Sequence, residues 1–322
     1  MHQVALIPGD WIGPEAFAAT RKIISALGVD IDWVELDLSK GVTEEVRSTC
    51  ESIGVILKGR LDASPVFGQL PPTIALRKEL GLWSTVRSVK PLPGVDCIYP
   101  DIDLIVVRET SEDIYSGFEH EVTDGVVEAV KVTTRAACER ISRFAFETAR
   151  AMGRKKVTIV HKSNIMKKSD GMFLSTARSV ASEYPDIEVE ESIVDALCMW
   201  LVKNPMHYDV LLTLNLFGDI VSDLCSGLAG GVTASPSVSY GDNLVLFEVL
   251  HGRAPELVGR SLCNPIPMLN VSVLLLRHLN EGVAADRLQR GIVSALESGV
   301  ATPDLGGQNS TEEMVDAIIA GI

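Results

Sequence analysis

Short apolar runs at residues 4–7, 104–107, 157–160 and 210–214 alternate along the chain with longer amphipathic stretches. Four or five apolar residues suffice for a strand buried on both faces, and the amphipathic stretches supply helices to cover it, so the alternation predicts an α/β fold. The opening is the best signalled part. A helix predicted from 14 to about 27 begins with Pro14, which suits the first helical position, and Glu15, which complements the positive end of the helix dipole. No GxGxxG and no GxxxxGK[ST] occurs, so a standard Rossmann fingerprint and a P-loop are both missing. A bound nucleotide would have to be held another way. There is no internal repeat, low-complexity tract or long polar linker. Turn-rich candidates for a boundary are Lys90-Pro91-Leu92-Pro93-Gly94, and Gly230-Gly231 before Ser235-Pro236-Ser237.

Composition narrows the function classes. The 322 residues, 46% hydrophobic and 22% charged, are enough for one large domain or two smaller ones, and they exclude disorder and coiled coil. Acidic residues outnumber basic ones 43 to 29, a net charge of -14, so the summed field repels a phosphate backbone and nucleic acid is not an expected partner. An anionic substrate must therefore be held by local cation clusters or by a metal. Cysteines at 50, 97, 138, 198, 225 and 263 form no CxxC pair and no zinc-spaced cluster, and read as small buried residues in a reducing cytoplasm. No basic n-region precedes Asp10, and no apolar run approaches the ~20 residues that span a bilayer. The expectation is a cytoplasmic protein without a membrane partner.

Three constellations carry candidate chemistry. Asp219 and Asp223, in Asn215-Leu216-Phe217-Gly218-Asp219-Ile220-Val221-Ser222-Asp223, follow the apolar run 210–214 and lie one helical turn apart. Like charges at that spacing repel unless a cation sits between them, and a hard divalent ion, Mg²⁺ or Mn²⁺, suits such oxygen ligands. Taken alone the pair is equally a solvated first turn stabilised by the helix dipole. Asp195 is a candidate third carboxylate. Arg77, Arg87 and Arg108 would suit a di- or tricarboxylate if they converged, since guanidinium forks bind carboxylates in bidentate fashion. Spacing does not show convergence, and Arg77-Lys78-Glu79 also reads as an exposed helix face. Tyr115 and Lys162 are candidate acid–base groups. His161 reads as a structural histidine at a strand end, and His251-Gly252-Arg253-Ala254-Pro255 as a turn-rich stretch.

Together these segments resemble the β-decarboxylating dehydrogenases, the isocitrate, homoisocitrate and 3-isopropylmalate dehydrogenases. The matching pieces run in order over nearly the whole chain. They are Ile7-Pro8-Gly9-Asp10 with Ile12-Gly13-Pro14-Glu15, Leu76-Arg77-Lys78, Val86-Arg87, Val107-Arg108-Glu109, and Tyr115-Ser116-Gly117 with Glu119-His120. They continue with His161-Lys162, Asn164-Ile165-Met166-Lys167, Ser169-Asp170-Gly171, the 215–223 segment, His251-Gly252, Ala254-Pro255, Asn264-Pro265 and Asp304-Leu305-Gly306-Gly307. The resemblance implies a two-domain isocitrate/isopropylmalate dehydrogenase-like α/β fold. A large cofactor domain would comprise 1–83 plus 231–322, and a small dimerisation domain 84–230.

The resemblance also implies roles. Arg77, Arg87 and Arg108, with Thr73, would bind the substrate, a hydroxy-di- or tricarboxylate. Asp219 and Asp223 would bind the metal with Asp195 from the neighbouring subunit. Lys162, also from the neighbour, would help deprotonate the hydroxyl, and Tyr115 would protonate the enolate carbon, so that a homodimer with shared active sites is required. The cofactor residues would be Ile12, Ser64, His251, Gly252, Ala254, Glu256, Leu257, Asn264 and Asp304. An acid followed by an aliphatic residue after the His-Gly-x-Ala-Pro motif favours NAD, because Glu256 would accept from ribose hydroxyls and repel a 2′-phosphate. Arg253 and Arg260 run against that choice. The implied reaction is oxidation of a 3-substituted malate and loss of CO₂ from the resulting β-keto acid.

Two departures leave the substrate open. Where isocitrate enzymes usually carry a Ser and an Asn, six and four residues before the first clamp arginine, this chain has Pro71 and Thr73. Pro71 offers no side-chain donor. An isocitrate-type enzyme is one reading, and a paralogue for an unusual 3-substituted malate such as a homoisocitrate, alkylmalate or phosphonomethylmalate is another. Trp11 replaces the usual Gly in the first loop. A non-catalytic regulatory subunit is the third reading, against which stand the retained Tyr115, Lys162, Asp195, Asp219 and Asp223.

Overall fold

The structure, a computed structural model, describes residues 1–62 and 70–322. Ser64 lies outside the described residues. The chain divides into two compact units, Met1–Gly81 with Pro91–Ile98 and Gly230–Ile322, and Leu82–Lys90 with Tyr99–Ala229. The first opens with β1 (His2–Ile7), α1 (Gly13–Ala26), β2 (Ile31–Glu35), α2 (Glu44–Ile53), β3 (Val55–Lys58) and α3 (Pro72–Glu79). The second contains β4 (Ser84–Val89), β5 (Leu104–Glu109), β6 (Glu119–Thr123), β7 (Val126–Ala129), α4 (Arg135–Ala151), β8 (Lys156–His161), α5 (Ser169–Ala181), β9 (Glu188–Ile193), α6 (Val194–Lys203), β10 (Val210–Thr213) and α7 (Asn215–Leu228). The chain then returns to the first unit for β11 (Ser237–Tyr240), β12 (Val245–Glu248), α8 (Ile266–His278), α9 (Gly282–Glu297) and α10 (Thr311–Ala320).

In the first unit the strands run β2-β1-β3-β12-β11. β1 is parallel to β2 and β3, and β12 is parallel to β3 but antiparallel to β11. The helices bury apolar faces in two clusters, one joining Val4, Leu6 and Leu57 of the strands to Phe17 and Met268, the other joining Ile23, Leu269, Leu288 and Ile318 among the helices. The carboxyl ends of β1, β3 and β12 thus lie side by side. Gly59 N donates to Ile7 O at 2.8 Å and Val249 N to Lys58 O at 3.0 Å, so the three following loops start from one edge.

In the second unit the order is β4-β5-β10-β8-β9, with β4 antiparallel to β5 and the others parallel. Every residue of β10 is buried, which is why it reads as a continuous apolar run. α7 starts immediately after it and packs tightly on β5. A Cβ at Gly218 would lie 2.3 Å from Thr213 Oγ1 and 2.6 Å from Arg108 Cγ, so glycine alone permits the approach that brings α7 onto Arg108. The β6–β7 hairpin is exposed along its whole length.

Candidate active site

The second unit gathers Arg87, Arg108, Tyr115, Asp219 and Asp223 around β5 and the first turns of α7. Arg108, buried at the end of β5, donates through Nε and Nη2 to Asn215 Oδ1 at 3.0 and 2.6 Å, and through Nη1 to Asp219 Oδ1. Tyr115 Oη donates to the other oxygen of Asp219 at 2.5 Å, and the Arg108 guanidinium stands 5.2 Å from the Tyr115 ring centre. One turn along, Asp223 accepts from Arg87 Nη1. The two arginines therefore relieve the repulsion between the aspartates. Side-chain exposure divides the partners sharply: Arg87 8% and Arg108 7%, Asp223 71% and Asp219 44%. Burial, and then the hydrogen bond to Asp219, push the Tyr115 phenol above its ordinary value.

A second set of contacts fixes these groups in place. Asp113 has φ +76, a left-handed conformation uncommon for a non-glycine residue. Its carboxylate accepts from Ile114 N at 2.8 Å and from Leu216 N at 3.1 Å, joining the turn that carries Tyr115 to the start of α7. Lys131 Nζ stands 3.5 Å from Asp113 and donates to Asp170 at 2.9 Å, while Asp170 accepts from the backbone N of Lys162 at 2.7 Å. Lys162 Nζ donates to Asp195, which holds that carboxyl below the usual carboxylate range. Among the described residues no group of three or more His, Cys, Asp or Glu side chains is placed to hold a metal, so Asp195 does not join Asp219 and Asp223 within one chain. His161 is a structural residue whose Nδ1 accepts from Ser163 N at 3.1 Å; burial pushes its ring down.

The first unit holds Arg77, Thr73 and the described cofactor candidates. Arg77 donates to Glu248 at 2.5 Å, and Glu248 also pairs with Lys58 at 2.9 Å. Lys58 and Glu248 are 1% and 2% exposed, closing the apolar runs of β3 and β12. Burial alone would raise the Glu248 carboxyl, but Arg77 and Lys58 hold it at about 2. Lys58 Nζ also donates to Thr73 Oγ1 at 3.3 Å. After β12, His251 donates through Nδ1 to Gly252 O, 2.7 Å away, while its Nε2 is buried without a hydrogen-bond partner among the described residues. Asn264 Nδ2 donates to Asp304 Oδ2 at 2.9 Å, and Thr302 Oγ1 to the other Asp304 oxygen at 2.6 Å. Ala254, at φ +42, opens the short turn Pro255–Leu257 that presents Glu256 and Leu257. Gly252 has open space where a Cβ would stand, and the Ile12 side chain belongs to the core.

Sequence reasoning missed Lys58 and Glu248, and it gave no role to Lys131, Asp113, Asp170 or the Asn215 amide. The signal for the first two was available: a charged residue closing an otherwise apolar strand, as in Val-Ile-Leu-Lys and Val-Leu-Phe-Glu. Such a residue is buried only if paired.

A profile of the isocitrate/isopropylmalate dehydrogenase family matches residues 3–318. The chain belongs to the isocitrate/isopropylmalate dehydrogenase family. It is 41% identical over 327 residues to a probable isocitrate dehydrogenase [NAD] subunit alpha, mitochondrial, of Drosophila melanogaster, covering 99% of this chain and 87% of that one. It is 40% identical over 321 residues to the 3-isopropylmalate dehydrogenase of Methanothermobacter thermautotrophicus, covering 98% and 97%. The crystal structure of isocitrate dehydrogenase from Methylococcus capsulatus superposes with a TM-score of 0.93 at 38% identity, over 100% of this chain and 99% of that one. This member of the isocitrate/isopropylmalate dehydrogenase family is thus a dehydrogenase with that family's α/β fold. Its residues fit the groups such chemistry needs. Asp219 and Asp223 are hard oxygen donors suited to Mg²⁺ or Mn²⁺, and Nε2 of His251, unpartnered among the described residues, leaves a buried polar atom for a nucleotide to meet.

Proposed function

We propose that this dehydrogenase oxidises and decarboxylates a 3-substituted malate of the isocitrate type, using NAD⁺ and a divalent metal, and yields a 2-oxo acid and CO₂. The observation that carries the reading is the cluster of Tyr115, Arg108 and Asp219, extended by the Arg87–Asp223 pair. Bound there, a divalent ion supplies stabilisation of developing oxyanion charge, and NAD⁺ supplies the hydride acceptor. Arg87 and Arg108 exchange their aspartate partners for substrate carboxylates, which the exposure of Asp219 and Asp223 favours. Arg77 binds a further carboxylate edge, held in its rotamer by buried Glu248. Tyr115, whose raised phenol stays protonated at neutral pH, donates its proton to the carbon that loses CO₂. Lys162 and Asp195 act on the active site of a second copy, Lys162 taking the hydroxyl proton and Asp195 completing the metal ligands. Among the described residues Asp195 joins no metal-holding group within the chain, which supports its part of that assignment.

A homodimer is accordingly part of the reading. The second unit exposes Met199, Trp200 and Val202 of α6, Ile220 of α7, Phe118, and Val122 and Val127 of the hairpin, apolar side chains that suit contact with a second copy. Six free cysteines favour a reducing compartment, with the cytoplasm as the proposed location. No helix among the described residues is long and apolar enough to cross a membrane.

One observation favours the paralogue reading. Pro71 caps α3 without a side-chain hydrogen bond, and the Thr73 hydroxyl already accepts from Lys58, so the usual γ-carboxylate contacts are depleted. The test is NADH absorbance with Mn²⁺ against isocitrate, homoisocitrate, 3-isopropylmalate, tartrate, malate and 3-(phosphonomethyl)malate, repeated with NADP⁺. Highest kcat/KM on isocitrate supports the main reading, and highest kcat/KM on another malate supports the paralogue. No turnover on any of them by the protein alone would restore the regulatory-subunit reading.

A further inference from the structure

Trp11 stands where the family resemblance leads one to expect glycine, and the backbone keeps the glycine-like conformation, at φ +58. A non-glycine residue held there needs a compensating contact. The indole supplies one: Trp11 Nε1 donates to Asp62 Oδ2 at 3.0 Å. Asp62 N in turn donates to Asp10 Oδ2 at 2.7 Å, locking the loop after β3 onto the loop after β1. The remaining oxygen, Asp62 Oδ1, pairs with Arg253 Nε at 2.6 Å. Arg253 sits between His251-Gly252 and the turn that carries Glu256, in the loop after β12. Arg60 fastens that loop from the same side, donating through Nη1 to His251 O at 3.0 Å.

A free guanidinium at position 253 would attract a phosphate dianion strongly, because the fork of donors matches its oxygens. Asp62 cancels that charge. The adjoining cleft of about 1270 Å³ adds to the effect, since among the described residues Asp10, Glu35, Asp37 and Asp62 line it against a single cation, Lys40. Arg260, a further cation near the loop, is turned to the Glu256 carbonyl at 3.4 Å.

We propose that Asp62, oriented by Trp11, is a specificity residue that neutralises Arg253 and so sets this enzyme against a 2′-phosphorylated nucleotide. The inference rests on the NAD reading of the site and extends it to residues outside the family motif. Asp62 and Trp11 are positioning residues, acting through the Arg253 side chain.

The test measures equilibrium binding of adenosine 2′,5′-bisphosphate by calorimetry, beside kcat/KM with NAD⁺ and NADP⁺. Asp62→Asn, which keeps the shape and removes the charge, should tighten adenosine 2′,5′-bisphosphate about tenfold and raise kcat/KM for NADP⁺ by a similar factor, with NAD⁺ changed less than about threefold. Trp11→Phe should give a smaller gain of the same sign. Adding Arg253→Ala to Asp62→Asn should return the affinity to the wild-type level, which a general loosening of the loop would not do. If wild type turns over NAD⁺ and Asp62→Asn binds the bisphosphate no tighter, the proposal alone falls. If wild type uses NADP⁺ as well as or better than NAD⁺, the NAD reading falls and takes the proposal with it.

Discussion

The candidate arginines of the two units sit in charge pairs of different burial. In the first, Lys58, Glu248 and Arg77 form a closed set in which both members of the Lys58–Glu248 pair are shut away from water. In the second, the Arg87–Asp223 and Arg108–Asp219 pairs each have one buried arginine and one exposed aspartate, beside a closed set of Lys131 with Asp113 and Asp170. A pair buried on both sides has no alternative partner, so breaking it leaves an uncompensated charge and the pair acts as scaffold. With one partner in water, exchange costs little, because the departing carboxylate is already partly hydrated. On the proposed reading the closed set positions a site, whereas the half-open pairs are free to take substrate and metal.

The comparison sharpens most at Asp219. Asp219→Asn should lower metal-dependent turnover by about 10³-fold or more while the circular dichroism spectrum and the mass in solution stay unchanged; near-normal turnover at limiting Mn²⁺ would remove Asp219 from the proposed metal site. Next is Glu248→Gln, which leaves Lys58 and Arg77 facing each other without a counter-charge and should cost about 3 kcal/mol in urea unfolding at pH 7. Because the folded carboxyl is depressed to about 2, its stabilisation is complete above the unfolded carboxylate value and is lost as pH falls from about 4.3 towards 2. The difference between wild type and Glu248→Gln should therefore shrink over that window, and a constant difference would contradict a scaffold role for its charge.

Tyr115→Phe should lower kcat by about 10²-fold with KM changed little, measured together with solvent deuterium incorporation at the carbon that loses CO₂. Undiminished incorporation would take the acid role from Tyr115. The smallest effect is expected at Arg150, whose pair with Asp186 is exposed on both sides. Arg150→Ala should leave both Tm and turnover unchanged, and a loss in either would break the link between exposure and exchangeability drawn above.

Much of the site was legible in the sequence because strand ends and first helical turns are local. The apolar run at 210–214 followed by Asp219 and Asp223 located α7, and Arg108 follows directly on the run 104–107. What stayed hidden was which partner each charge takes. The pairing of Asp219 with both Arg108 and Tyr115 spans more than a hundred residues, and Lys131, beside the bridge of Val132 to Asp113, meets Asp170 39 residues further on. Trp11 stood out as a departure without a reason until Asp62 was found on it.

By itself the sequence determined the α/β class, the places of the strands and helices that carry the site, and the membership of residues in a known motif order, since each follows from periodicity, capping and local spacing. The tertiary structure decided which ionised groups are closed off in pairs and which remain half in water. That division depends on long-range packing, because the cost of a charge is set by the solvent and partners that the folded chain leaves around it.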